Sequence, residues 1–389
     1  MSRYRFFADL HIHIGRTEGG LPVKITGARN LTFDNILREA AHRKGIDMIG
    51  IIDAHSPPVQ KEIEANIATG RYLEIPGGGL RYGETTAILG VEIEVREPGR
   101  GAAHVLAYFP DLASMKGFCV FLSRHIRNMQ LSTQRFHGEI FRLEESVAEH
   151  GGLLIPAHVF TPFKSVYGSA ANRMADLFHL DRLAGVELGL SADSSMADRI
   201  RELSRFSFLS NSDAHSLPKI AREYNELVME EASFEELEKA LFREEGRRVV
   251  ANYGLDPKLG KYHRTRCANC DELLPSGERR CSYCGSLKII KGVSDRISEI
   301  ADSPSKAPVH RPPYVCQVPL EFIPKLGPKT LNKLLDRFGT EMEILHRAPL
   351  EEIESVIGKE IAYHIGLARE RRLTFEEGGG GTYGRVKTR

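Results

Sequence analysis

The feature that most constrains this chain is Asp9-Leu10-His11-Ile12-His13, close to its start. In an extended strand, residues two apart point the same way. The spacing therefore predicts Asp9, His11 and His13 on one face, with Leu10 and Ile12 in an apolar layer behind. The same spacing of two returns in Asp53-Ala54-His55, Glu92-Ile93-Glu94 and Asp213-Ala214-His215. Each follows an apolar run that reads as a buried strand: Ile49 to Ile52, Ala87 to Val91, Phe206 to Leu209. His104 and His158 add two imidazoles, the second after Gly152-Leu153-Leu154-Ile155-Pro156. Any one of these histidines is explained well enough as a hydrogen-bonded core or rim residue. Together they are not, because a core holding so many carboxylates and imidazoles needs a compensating cation. Mixed nitrogen and oxygen ligands suit zinc, manganese or iron rather than calcium. The expectation is a multinuclear metal site.

Strand-like and helix-like segments alternate over residues 1 to about 255. Thr32 is placed to cap a helix through His42 that Gly45 ends. Further helices are expected over 112–128, 133–149, 195–204 and 233–245, the last with Ser233 as cap and Glu236 at the capping-box position. Gly70 to Gly83 reads as an irregular loop. Such alternation predicts an α/β fold with a parallel sheet closed, or nearly closed, as a barrel. Its active groups would sit at the carboxyl ends of strands.

At 389 residues the chain is long enough for two or three domains. Cys267, Cys270, Cys281 and Cys284 form a CxxC-x10-CxxC pattern that reads as a structural zinc ribbon. The alternative is a pair of disulfides, disfavoured because no secretory signal is apparent. Cys119 and Cys316 read as small buried apolar residues. With no apolar signal segment and no run long enough to span a membrane, the expectation is a cytoplasmic protein without membrane partners.

The net charge of +1 hides an asymmetry: from residue 258 onward there are 23 Lys and Arg against 17 Asp and Glu, leaving the front with a deficit of five. A basic rear behind an acidic, metal-rich front fits a polyanionic substrate. Ser303 to Pro313, rich in Pro and Ser, reads as a linker. Beyond it, the turn around Gly327 and Lys329 opens an apolar-periodic helix, and the turn around Gly358 and Lys359 opens another. The pairing resembles a tandem helix-hairpin-helix module, whose backbone N–H groups bind phosphate without reading the base. A plain helical bundle for partner contact is the alternative. The expected division is 1–257 catalytic domain, 258–302 zinc ribbon, 303–316 linker, 317–375 small all-α domain and 376–389 flexible basic tail.

Taken in order, these motifs resemble the polymerase-and-histidinol-phosphatase (PHP) family of metal phosphoesterases, over about residues 1–230. The resemblance implies a distorted (β/α)7 barrel. It also implies two or three divalent metals (Zn2+, Mn2+, Mg2+ or Fe2+) on His11, His13, His55, Glu92, His104, His158, Asp213 and His215. Asp9 and Asp53 would orient imidazoles or add ligands. Gly15-Arg16-Thr17-Glu18 offers no His where that family often has a further ligand. Within the family, Ala157 to Phe163, Gly185 to Ser191 and Leu209 to Ser216, with the order of parts, are similar to the endonuclease Q group. This similarity implies hydrolysis of DNA on the 5′ side of deaminated bases (uracil, hypoxanthine, xanthine) and abasic sites. Asp213, His215, His11 and His13 would be at the catalytic centre. The altered base would be flipped into a pocket, for which Phe160, Phe163, Tyr167, Ser169 and Asn172 are candidates. Damaged DNA would be the partner, a nucleoid setting would follow, and replication or repair proteins stay open as further partners. Two rivals remain at this point: a phosphatase for small phosphate esters, and a non-catalytic nucleic-acid-binding scaffold.

Overall fold

The computed structural model describes residues 3–303, 307–373, 375–376 and 385–386. The strands that position the site are β1 (Tyr4–Ile12), β2 (Met48–Ile51), β3 (Thr85–Val95), β4 (Ala103–Phe109), β5 (Leu153–Pro156), β6 (Val186–Glu187), β7 (Phe208–Leu209), β8 (Tyr224–Met229), β9 (Arg248–Gly254) and β10 (Tyr314–Cys316). The main sheet runs β10-β9-β8-β1-β2-β3 and continues from β3 through β4 to β5. β1, β2 and β3 pair in parallel, but β1 with β8, β8 with β9, β3 with β4 and β4 with β5 are antiparallel. The sheet is mixed, not parallel as the alternation implied. The short connection from Val95 to Ala103 leaves no room for a crossover helix, so β4 must fold back on β3. β6 and β7 form a separate parallel pair. Isolated bridges tie its surroundings to the main sheet, Leu183 to Leu154 of β5 and Ala214 to Ile12 of β1.

β1 is bulged. Its register against β2 slips between Asp9 and Ile12, so Leu10 and Ile12 enter different apolar clusters instead of one layer. Bulges beside functional sites re-aim side chains in this way. Leu10 joins Met48, Ile88, Leu106 and Leu227. Ile12 joins Ile49, Leu89 and Val91 with residues of the flanking helices.

Those helices begin with α1 (Phe33–Arg38), where the Thr32 hydroxyl accepts from Asn35 N. The chain continues as a wider turn over Glu39–Lys44 to Gly45 at φ 75°. α2 (Pro57–Ala68), α3 (Leu112–Leu122), α4 (Ile140–Glu149) and α5 (Phe234–Phe242) follow. The expected 133–149 helix starts only at Ile140, because Gln134–Arg135 pair with Ile93–Glu94 at the end of β3. The expected 195–204 helix breaks into Ser194–Ala197 and a tight turn over Arg201–Arg205. Ser233 caps α5 as expected, but the Glu236 carboxylate binds Arg247 and the Glu230 amide rather than closing a capping box.

After β9, Arg266–Cys267 pair antiparallel with Ile289–Ile290, and α6 (Val293–Ile300) packs Val293 and Ile297 into the main core. The stretch 303–316 is no loose linker among its described residues. Arg311 lies 3.3 Å above the Phe208 ring and 2.9 Å from Asp198, and β10 adds to β9. The last domain packs α7 (Pro328–Phe338), α8 (Glu341–His346), α9 (Leu350–Ile357) and α10 (Lys359–Arg369) around its own core. It docks through a buried Lys44–Glu341 pair at 3.0 Å and His346 stacked on Phe7. Most of the expected tail, 376–389, lies outside the described residues. No helix among the described residues is long and apolar enough to cross a membrane.

Candidate metal centre and the cleft beside it

Two ligand pairs face each other because the backbone zips them together. Ala214 N donates to His11 O and His13 N donates to Ala214 O, each at 3.1 Å. Asp213 and His215 are thereby set against His11 and His13. Asp213 Oδ1 lies 3.5 Å from both His11 Nε2 and His13 Nε2, and 3.3 Å from His215 Nε2. Glu92 comes from within β3, not from a strand end. Its Oε1 lies 2.8 Å from His104 Nδ1, 3.4 Å from His158 Nε2 and 3.7 Å from His11 Nε2. Its Oε2 lies 3.6 Å from His13 Nε2.

Three overlapping triads result: His11/His13/Glu92, His13/Asp213/His215 and Glu92/His104/His158, the donor atoms of each within 4.8 Å of one another. The donors fit metal ions. His11 Nε2 is buried without a hydrogen-bond partner, and so is His104 Nε2. Such buried polar atoms ordinarily find a partner. Seven of the eight expected ligands meet here. His55 does not join a triad; its Nε2 faces Leu131 O at 3.2 Å.

Asp9 and Asp53 stand behind the triads. Asp9 accepts from Ser212 N and Ala221 N and so fixes the loop that carries Asp213. Asp53 holds His13 Nδ1 at 3.0 Å and Ile14 N at 2.8 Å. Glu187, which the sequence reading missed, does the same for the other side. Its Oε2 meets His11 Nδ1 at 2.9 Å and Asn211 Nδ2 at 2.8 Å, and its Oε1 accepts from His158 N at 3.0 Å. The available signal was an acid inside the apolar run around Gly185 to Leu190. Lys24 was also missed. Its Nζ lies 3.4 Å from Glu92 Oε2 and 2.6 Å from Thr133 Oγ1.

Electrostatics follow from this crowding. Burial works to lower the His11 pKa, yet Glu187, Asp213 and Glu92 hold it at about 10. Burial, helped by Lys24, lowers His13. Burial opposes ionisation of Asp53, but His13 pulls it down to about 2. Asp213 and Glu92 stay well below the carboxylate range despite burial, through His11 and His104 respectively. Backbone strain collects here too, with His158 at φ 30°, Asp213 at 46° and Thr133 at 53°. Gly189, at φ 80°, passes so close that a Cβ there would stand 2.9 Å from His158 Cβ.

A cavity of about 440 Å³ opens beside the triads. His158, Glu187, Asn211, Asp213 and His215 line it, with Lys219, Arg222, Lys261 and Tyr262. Of the base-pocket candidates, Phe163 is exposed and edge-on to Tyr262, which lines the cavity, but does not line it itself. The others lie away from it. Phe160 and Tyr167 are buried and stacked on each other. Ser169 bonds Ala102 O, and Asn172 accepts from Arg296. Phe160 and Tyr167 thus belong to the core, while Ser169 and Asn172 are exposed residues held by these hydrogen bonds, and none of the four lines the cavity.

The four cysteines also meet. Sγ separations of 3.6 Å (Cys267–Cys284) and 3.5 Å (Cys270–Cys281) exclude disulfides. They approach the ~3.8 Å edge of a tetrahedron with zinc–sulfur bonds of ~2.3 Å. Gly327 and Gly358 are the N-caps of α7 and α10, exposed together with Lys329 and Lys359. Lys325 Nζ and Glu360 Oε1, 2.6 Å apart, hold the two turns side by side.

No family model matches the chain. It is 49% identical to the uncharacterised protein YqxK of Bacillus subtilis, over 98% of this chain and 99% of that one. It is 34% identical to protein MJ0043 of Methanocaldococcus jannaschii, over 66% of this chain but 35% of that protein. The crystal structure of the lesion-specific endonuclease Q of Pyrococcus furiosus superposes with a TM-score of 0.85 at 32% identity, covering 99% of this chain and 95% of that one. The chain belongs to the endonuclease Q family. A second endonuclease Q structure, in complex with a 27-mer duplex carrying an abasic lesion at its active site, matches equally well over 97% of its length. Membership of the endonuclease Q family makes this chain an endonuclease, and the triads are its candidate metal centre.

Proposed function

We propose that this protein hydrolyses the DNA phosphodiester on the 5′ side of deaminated bases and abasic sites. The observation that carries the reading is a cavity into which two of the three triads reach, through Asp213, His215 and His158, and which Lys219, Arg222, Lys261 and Tyr262 also line. Its volume admits a base and its cations suit a backbone phosphate. The duplex-bound relative, matched along almost the whole chain, supports DNA as the substrate. A PHP-type distorted barrel is supported by the two bridges that join the β6–β7 pair to β5 and to β1.

Zn2+, Mn2+, Mg2+ or Fe2+ on His11, His13, Glu92, His104, His158, Asp213 and His215 would activate water and neutralise charge at the phosphate. The chain's own residues do the rest. Glu187 and Asp53 accept Nδ1–H protons from His11 and His13, which leaves Nε2 of each free to bind metal. His215, half-buried at the mouth, would complete the metal set on the side that faces the cavity. Asn211, buried at the cavity wall, offers an amide to a flipped base. Zn2+ on the four cysteines fills a closed site and is structural. The paired turns at Gly327 and Gly358 are placed to hold flanking phosphates through backbone N–H groups. DNA as substrate puts the protein in the cytoplasm, with the nucleoid.

The test is a panel of end-labelled duplexes, each with one uracil, hypoxanthine, xanthine or abasic site, with and without added metal. Cuts directly 5′ of each lesion, and none in undamaged DNA, are expected. Release of inorganic phosphate from small esters without any nick would defeat the reading.

A further inference from the structure

We propose that Ile25 is the side chain that enters the base stack when the target nucleotide leaves it; this rests on the DNA reading above. Residues Lys24 to Gly27 form a tight turn, closed by Gly27 N donating to Lys24 O at 2.9 Å, with Ile25 and Thr26 at its corners. The turn is pinned to the metal centre on both flanks. Lys24 N donates to Ile14 O at 2.8 Å, while its ammonium holds Glu92 and Thr133. Thr26 Oγ1 lies 3.4 Å from His215 Nδ1, and Ala28 N donates to His215 O at 2.8 Å. Two glycines let it lie this close: a Cβ on Gly27 would stand 2.9 Å from Gly15 Cα, and one on Gly15 only 2.0 Å from Ala28 O.

Ile25 itself is 77% exposed. A single exposed isoleucine is ordinary on a surface. A β-branched apolar residue at the corner of a turn is not, since Gly, Asn, Asp, Ser and Pro suit such corners. Here the corner is also one residue away from two side chains that touch Glu92 and His215. The phosphate to be cut must reach those groups, and it adjoins the extruded nucleotide. The gap left in the stack therefore opens within about one nucleotide of the centre, where Ile25 is held out rigidly. Apolar wedges of this kind offset the unstacking cost that base extrusion incurs.

The test uses the full-length, metal-loaded protein and two uracil duplexes, one with matched flanking pairs and one with mismatched flanks that already unstack. Ile25→Ala should cut the matched duplex roughly tenfold more slowly, yet stay within about twofold on the mismatched one. Ile25→Leu should restore the rate. In an Asp213→Asn background, a 2-aminopurine next to the uracil should brighten on binding with Ile25 in place, and less after Ile25→Ala. Equal loss on both duplexes, or none on either with unchanged fluorescence, would overturn the wedge alone. If the unaltered protein cuts neither duplex, the nuclease reading falls and takes the wedge with it.

Discussion

Behind the histidine ligands stands a layer of partners: Glu187 holds His11, Asp53 holds His13, and Asp9 holds the loop of Asp213. Behind those lies a large apolar core. In the four-cysteine turn the ligands are themselves the core, with Cys267, Cys281 and Leu274 buried and little else beside them. The first arrangement has a core behind it that holds the fold, so metals there would balance the buried charge and serve chemistry rather than build the domain. The second has too little apolar area to order a chain of this length, so a metal on its four cysteines would be part of the fold.

The most damaging change to the first region is Asp213→Asn. Asn tolerates the left-handed backbone at this position, so the fold should persist. Nicking should drop about a thousandfold or more, with the melting temperature nearly unchanged. An unfolded variant would break the contrast with the cysteine turn. For that turn, Cys281→Ser should release one zinc per chain, and residues 267–290 should lose protection in hydrogen exchange while β1 to β5 keep theirs. Duplex affinity should fall about tenfold. Global unfolding instead would show the two regions to be one cooperative unit.

Subtler is Glu187→Gln, which keeps the volume but weakens the hold on His11. Metal affinity should drop about 10–100-fold, measured by titration, and excess metal should recover the rate. The smallest effect concerns Glu223, where burial pushes the carboxyl up to about 8, with Leu255 N its donor. The folded state thus keeps a proton that the unfolded chain loses near the ordinary carboxylate value. Stability should decline as pH rises from about 4.5 to about 8, and Glu223→Gln should remove that decline. Urea midpoints across that range would show it.

Much of the centre was legible because its ligands are local. A spacing of two on a strand or just past it brings out His11 with His13 and Asp213 with His215, and CxxC needs no long-range knowledge. Glu187 was hidden because it acts on His11 and His158 across wide sequence separations, from inside an apolar run. Lys24 was hidden because a lysine in a loop reads as solvated. The late start of α4 and the strand at Tyr314–Cys316 were set by pairing with β3 and β9, which tertiary contacts decide. Phe160 and Tyr167 looked like base-stacking groups by type, and only packing shows them facing each other.

Because β10 lies beside β9, the cysteine turn is a detour that leaves the sheet and returns to it, anchored on return by Arg311 over Phe208. A protease nick between Pro275 and Arg280 would therefore cut the backbone without parting the molecule. The two fragments should co-elute, and the excursion could be lengthened, shortened or exchanged as a cartridge while the helical end stays seated on Phe7 and Lys44.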